Sequence, residues 1–218
     1  QYTQLFPTMT LSEFKVIYYW EYIHRILGRV FGLLFLIPFV IFLSKKVFKK
    51  EFIIKFFILF LLILLQGFIG WYMVKSGLVE NTTVSHYRLA LHLSIAIIII
   101  STIFWLLKNI NNREIKIFFK YSKDYLPYQL LLIIIFLQII LGALVSGLDA
   151  GMIYQTWPLM NEKFIADDIN IKNILSFELF SNPSYVQLMH RLLAYFIIFY
   201  SVFIYFFYFR KIKSVSYT

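Results

Sequence analysis

Residues 125–148, YLPYQLLLIIIFLQIILGALVSGL, contain no charged side chain, and Asp149 follows them directly. A helix needs about 20 apolar residues to cross the hydrocarbon of a bilayer. Four other runs, 30–44, 56–74, 89–107 and 192–209, are likewise uncharged. The first is short, and extending it back over the turns holding Glu21 and Arg25 restores a full span. With 61% hydrophobic and 21% aromatic residues and a mean hydropathy of +0.76, the chain reads as a membrane protein and not as a soluble core. The expected fold is an all-α, polytopic transmembrane helix bundle. Its five spans lie at about 22–44, 55–74, 87–107, 125–148 and 187–209.

A net charge of +10 invites a nucleic-acid partner, but the distribution argues against one. Lys45, Lys46, Lys49, Lys50 and Lys55 follow the first span. Lys108, Arg113, Lys116, Lys120 and Lys123 follow the third, and Arg210, Lys211 and Lys213 follow the fifth. The 149–178 segment leans acidic through Asp149, Glu162, Asp167, Asp168 and Glu178. This alternation obeys the positive-inside rule. It predicts residues 1–20, 75–88 and 149–187 outside, with the lysine-rich loops in the cytoplasm or matrix. The charge orients the chain in membrane lipid.

Three of the four histidines begin apolar spans: His24, His92 and His190. Two are His-Arg pairs, His24-Arg25 and His190-Arg191, and Arg88 precedes His92 by one helical turn. From His24 to Ser44 and from His190 to Phe209 is roughly 30 Å of helix, and from His92 to Leu107 roughly 23 Å. Spans one, three and five run in the same direction, so the three rings are expected at one level near the outer edge of the bilayer. Imidazole is costly in lipid, and several at one depth in a bundle point to axial ligation of haem. A single such histidine would more simply be a hydrogen-bonded core residue or a proton relay. No spacing typical of a histidine zinc site occurs. His86, about 240° around the helix from His92, reads as a surface histidine.

Glu21 shares a helix face with His24. It is either a proton acceptor, a residue that orients the ring, or an interfacial charge favoured by the helix dipole. Arg25, Arg29, Arg88 and Arg191 are candidates to pair with haem propionates, with snorkelling to phospholipid as the plain alternative. The chain has no cysteine, which rules out thiolate-ligated haem, iron–sulfur clusters and disulfides within it. Its start at Gln1, with an odd number of spans, points to a piece of a longer protein.

Thr10 or Ser12 is expected to cap the first helix, with Glu13 in its first turn. Pro38 is a candidate kink. Gly28 and Gly32 would admit a neighbouring helix or a flat ligand. Two internal echoes appear. Tyr22-Ile23-His24-Arg25-Ile26-Leu27 matches Leu188-Met189-His190-Arg191-Leu192-Leu193. Leu65-Gln66 with Gly70 and Ser76-Gly77-Leu78 matches Leu137-Gln138 with Gly142 and Ser146-Gly147-Leu148. They fit a duplicated bundle. Residues 149–186 read as a structured outer loop over a site, with a short interfacial helix near 170–180.

These residues resemble the haem A synthase family in its mitochondrial and alphaproteobacterial form. The carriers are Glu21-Tyr22-Ile23-His24-Arg25 with Gly28-Arg29, then Gly70-Trp71-Tyr72-Met73-Val74-Lys75-Ser76-Gly77-Leu78 and Ser85-His86-Tyr87-Arg88. After these come Gly147-Leu148-Asp149-Ala150-Gly151 and Gln187-Leu188-Met189-His190-Arg191. The blocks run in the family's order across nearly the whole chain. The resemblance implies helices two to six of an eight-helix enzyme built from a pseudo-symmetric pair of four-helix bundles. It assigns residues 1–124 to the substrate-haem half and 125–218 to the cofactor-haem half.

The implied activity oxidises the C8 methyl of haem O to a formyl group, giving haem A for terminal oxidases. His24 and His92 would hold haem O, Glu21 would take part in catalysis, and His190 would ligate a haem b cofactor whose second histidine lies outside this chain. The implied partners are haem O synthase, oxidase assembly factors, an electron acceptor and, as a homo-oligomer, further copies of the chain. The implied location is a bacterial inner membrane or the mitochondrial inner membrane, with the histidine ends toward the outer side. Rival readings are a non-enzymatic dihaem membrane cytochrome b in quinone-linked electron transfer, and a haem transporter or chaperone.

Overall fold

The structure, a computed structural model, describes residues 9–77, 84–112, 123–170 and 176–209. Five long helices carry the chain: α1 (Leu11–Ser44), α2 (Lys50–Gly77), α3 (His86–Asn112), α4 (Leu126–Gly147) and, after the four-residue α5 (Glu178–Ser181), α6 (Pro183–Ile204). All five are long and apolar enough to cross a membrane. No strand occurs among the described residues, and the protein is a multi-pass membrane protein. Large apolar side chains lie outward along every span, as with Phe31 at 66%, Phe104 at 62% and Phe199 at 74% exposure. In water such faces would be untenable, whereas against lipid they need no partner.

Local chemistry sets the helix ends. Thr10 caps α1 through a full capping box. Its hydroxyl accepts from Glu13 N–H, and the Glu13 carboxylate accepts from Thr10 N–H. The helix runs unbroken through Pro38. At its far end Lys46 takes a left-handed conformation, φ 53°. There Lys46 N–H bonds to Leu43 O and Val47 N–H to Phe42 O, a glycine-type stop built on a lysine. The 34 residues of α1 span about 51 Å, well beyond a hydrocarbon core of about 30 Å. The aromatic run Tyr18, Tyr19, Trp20 and Tyr22 therefore suits the membrane interface.

The chain divides into two compact units, residues 1–82 with 98–116, and residues 83–97 with 117–218. In the first, α1 and α2 pack through aromatic pairs, Phe35–Phe60 at 6.3 Å and Phe39–Phe56 at 6.3 Å between ring centres. Leu59 and Leu106 are fully buried there, and Lys55 lies 5.9 Å from the Trp105 ring. Gly28 and Gly32 show no close helix approach. A Cβ added at either would meet nothing within 4 Å among the described residues.

In the second unit the start of α3, the end of α4 and the start of α6 share a core of Ala90, Ala143, Leu144 and Val186. These are small or compact side chains, which let helices approach closely in lipid. After α4, Asp149 (φ 51°) turns the chain into a 3-10 turn, Ala150–Met152. The connection that follows has its own core, Met160, Ala166, Ile169, Tyr185 and Leu188. The interfacial helix expected near 170–180 is the short α5, Glu178–Ser181, while residues 171–175 lie outside those described.

Candidate functional site

His190 sits on the third turn of α6 and faces α4. Its Nε2 lies 3.2 Å from the amide nitrogen of Gln138. The same amide donates to the His190 main-chain oxygen at 3.1 Å. One turn further along α4, a Cβ on Gly142 would come within 3.2 Å of His190 Cε1 and 3.8 Å of Nδ1. The missing side chain at Gly142 thus makes the space the ring fills. His190 Nδ1 and Gln138 Oε1 are both buried with no hydrogen-bonding partner among the described residues. The imidazole is half-buried among apolar helices, with the Gln138 amide nitrogen at Nε2 and Nδ1 as the ring nitrogen left without a partner.

The loop before α6 is tied to the same helix. The Asp168 carboxylate accepts from the Tyr154 hydroxyl at 2.7 Å and from the Ser184 hydroxyl at 2.5 Å. Gln187 Nε2 donates to Tyr154 O at 2.9 Å. Arg191 donates from one terminal nitrogen to Tyr154 O at 2.7 Å and from the other to Leu159 O at 3.0 Å. Tyr185 brackets Asn170, accepting from its N–H at 2.8 Å and donating to its carbonyl at 2.9 Å. Ser184, Gln187 and Arg191 recur at spacings of three and four, so one face of α6 grips residues 154–168.

Burial pushes the Asp168 carboxyl up, but the Ser184 and Tyr154 hydroxyls outweigh it and hold the group below its ordinary value. Burial, and then its bond to Asp168, raise the Tyr154 hydroxyl. A depressed carboxyl stabilises the fold above its unfolded-state value, and that contribution is lost as pH falls through the lowered one. A raised phenol does the reverse, losing its contribution as pH rises through the raised value. The loop is therefore expected to stay closed from about pH 4 to about pH 10. Amide exchange at Asn170, whose N–H is held by the Tyr185 hydroxyl of α6, measures this against pH; opening near pH 6 would contradict it.

The other site residues fall in both units. In the first, Glu21 and Arg25 form an ion pair at 2.6 Å with both side chains about half exposed (53% and 51%). His24, Gly28 and Gly32 follow one another at four-residue spacing on α1, and Arg29 is exposed beside them. In the second, His92 and Arg88 are half-buried on α3. His86 is not a surface residue. It is half-buried, and its Cα and Cβ stand 2.7 Å from where a Gly147 Cβ would be. The polar residues around it suggested solvent, but the glycine at the end of α4 makes it a packing position.

The sequence reading gave no role to Gln138, Gly142, Gly147, Tyr154, Asp168 or Ser184. The signal for the first three was present in the second echo, whose glutamine and glycines lie against His190 and His86.

The family model described as "Cytochrome oxidase assembly protein" matches residues 1–218. A protein named "Heme A synthase" from Pelagibacter ubique is 45% identical over 220 residues, covering 100% of this chain and 64% of that protein. One of the same name from Rickettsia bellii is 46% identical over 197 residues, covering 86% and 56%. Another from Rickettsia africae is 39% identical over 199 residues, covering 89% and 58%. The chain thus spans under two thirds of the length of these curated relatives. No solved structure matches it. On the whole-chain match to the family model and these identities, the chain belongs to the haem A synthase family of cytochrome oxidase assembly proteins.

Proposed function

We propose that this chain is the larger part of a haem A synthase, an oxidoreductase that converts the C8 methyl of haem O to a formyl group. The observation that carries the reading is the match to proteins of that name along the whole chain. Two successive hydroxylations of the methyl and loss of water give the aldehyde. Oxygen must be supplied and electrons passed to an acceptor.

His24 and His92 hold the substrate haem O. The glycines after His24 support this, because the open backbone at Gly28 and Gly32 admits a flat macrocycle. Glu21 is placed one turn from His24 to accept a proton, and its partner Arg25 holds the carboxylate in position. His190 ligates haem b, which supplies electron transfer when bound. Arg25, Arg29 and Arg88 are propionate partners. Arg191 spends one N–H of each terminal nitrogen on the loop, so a propionate would take the N–H groups left over. The histidine ends face the outer side of a bacterial or mitochondrial inner membrane, by the positive-inside argument. Residues 1–124 and 125–218, as parts of the two four-helix halves, belong to this reading, as do haem O synthase, assembly factors, an electron acceptor and self-association as partners.

Haem extraction from the complete gene product, purified from membranes, tests the reading. The enzyme carries haem b and haem O and yields haem A. His24→Ala and His92→Ala abolish haem A formation, and His86→Ala retains it. A protein that holds haem b alone and forms no haem A from haem O is instead an electron-transfer cytochrome.

A further inference from the structure

We propose, independently of any haem, that the connection between α4 and α6 docks into the lipid headgroup layer, with Trp157 as its anchor. Two charge boundaries fix its level. On α6, Arg191 is the last charged residue before the uncharged run 192–209. That run is about 27 Å of helix, against a hydrocarbon core of about 30 Å, so Arg191 stands where hydrocarbon gives way to headgroups. On α4, Asp149 is the first charge after the uncharged run 125–148. The connection leaves α4 at that boundary and comes back to the Arg191 boundary. Tyr154 O and Leu159 O both accept from the Arg191 guanidinium, at 2.7 and 3.0 Å. An arginine at the edge of hydrocarbon reaches toward the headgroups, which places both carbonyls in that layer. Residues 149–159 thus run along the membrane boundary instead of rising away from it.

Trp157 lies between those two carbonyls in sequence and is 74% exposed, and Met152 (73%) and Ile153 are exposed beside it in the chain. The turn that carries Trp157 is closed by Thr156. The Thr156 hydroxyl donates to Leu159 O at 2.9 Å and accepts from Asn161 N–H at 2.7 Å, so the indole is presented by an ordered turn. An indole, apolar in body with one N–H, suits the headgroup level better than water or hydrocarbon. Charge is sorted the other way. Glu162, Lys163 and Asp167 are exposed, and Asp168 is bound to Ser184, seven residues before Arg191 and so about 10 Å further from the hydrocarbon. The connection is therefore amphipathic along the bilayer normal. Asp149, Glu162, Asp167 and Asp168 outnumber Lys163 within it, so apolar burial and not attraction to anionic headgroups holds it there.

The test uses the complete gene product in nanodiscs of phosphatidylcholine alone, since no anionic lipid is required. The emission of Trp157 is read as the difference between the unsubstituted protein and Trp157→Phe. Lipid brominated near the top of its acyl chains should remove most of that emission, and iodide in the water little of it. In case the substitution disturbs the other tryptophans, a nitroxide on Trp157→Cys gives a second reading. This chain has no cysteine, and the unsubstituted protein sets the background from the rest of the gene product. The label should show a ratio of oxygen to nickel-complex accessibility severalfold above that of the same label on Glu162→Cys. Quenching by iodide and not by brominated lipid, or equal ratios at the two labels, would put the turn in water and overturn the proposal. Shielding from both quenchers would put it against protein, a second copy or a further segment of the gene product, and overturn it equally.

Discussion

Arg191→Ala is expected to free the 154–168 loop from α6 while leaving the transmembrane helices folded. The guanidinium is half-buried and crosslinks two carbonyls, Tyr154 O and Leu159 O, that lie five residues apart in the loop. Hydrogen bonds from a charged donor contribute about 1.5–3 kcal/mol each, and two bonds from one side chain are not additive. A loss of about 3 kcal/mol in loop closure corresponds to roughly a hundredfold rise in the open population. Amide exchange at Asn170, whose N–H is held by the Tyr185 hydroxyl of α6, or protease nicking between Tyr154 and Leu159, reads this because both follow the open fraction when closing is fast.

Arg191→Lys should recover little, since an ammonium is a single point on a flexible stem and cannot fork to two separate acceptors. Asp168→Asn should act in the same direction and more weakly. An amide still accepts one of the two hydroxyls at Asp168, and that side chain is exposed. If Arg191→Ala left loop protection unchanged, the loop would be held by its apolar cluster of Met160, Ala166, Ile169, Tyr185 and Leu188 alone.

What the sequence made legible follows from the strength of each physical signal. Runs such as 125–148 announced helices because lipid leaves a chain no other way to satisfy its backbone, and α4 begins and ends within a residue of that run. The Thr10–Glu13 capping box was readable because its spacing is fixed by helix geometry. Gly28 and Gly32 were ambiguous because close packing and an open groove require the same small residue, and only coordinates distinguish them. Arg191 looked like an anion partner because sequence shows its charge and not its neighbours. Two backbone carbonyls, which no residue identity reveals, turned out to be its acceptors. Asp168 and Ser184 are 16 residues apart, and no local periodicity links them. His86 was misplaced for the same reason, since its environment is made by Gly147, which is 61 positions later in the chain.

That environment predicts the severest single-atom-scale defect, at Gly147. A methyl there would stand 2.7 Å from His86 Cα and 2.7 Å from His86 Cβ, with Leu89 Cδ2 at 3.4 Å. The first obstacle is backbone, so no rotamer change can relieve it; α3 and α4 must separate. Overpacking of this kind costs roughly 1–3 kcal/mol, which for a chain of this size lowers Tm by roughly 2–12 °C. Gly142→Ala meets only a ring edge at 3.2 Å, and its effect should fall on His190 more than on stability. Gly67→Ala, with nothing within 4 Å, should be neutral or stabilising by up to about 1 kcal/mol through helix propensity. Thermal unfolding of the three variants in one detergent ranks them, with Gly147→Ala lowest. The consequence reaches the site as well, because His92 lies on α3 six residues beyond His86 and moves with that helix. An unchanged Tm for Gly147→Ala would mean that α3 does not rest on α4 there, and that the level of His92 is set by other contacts.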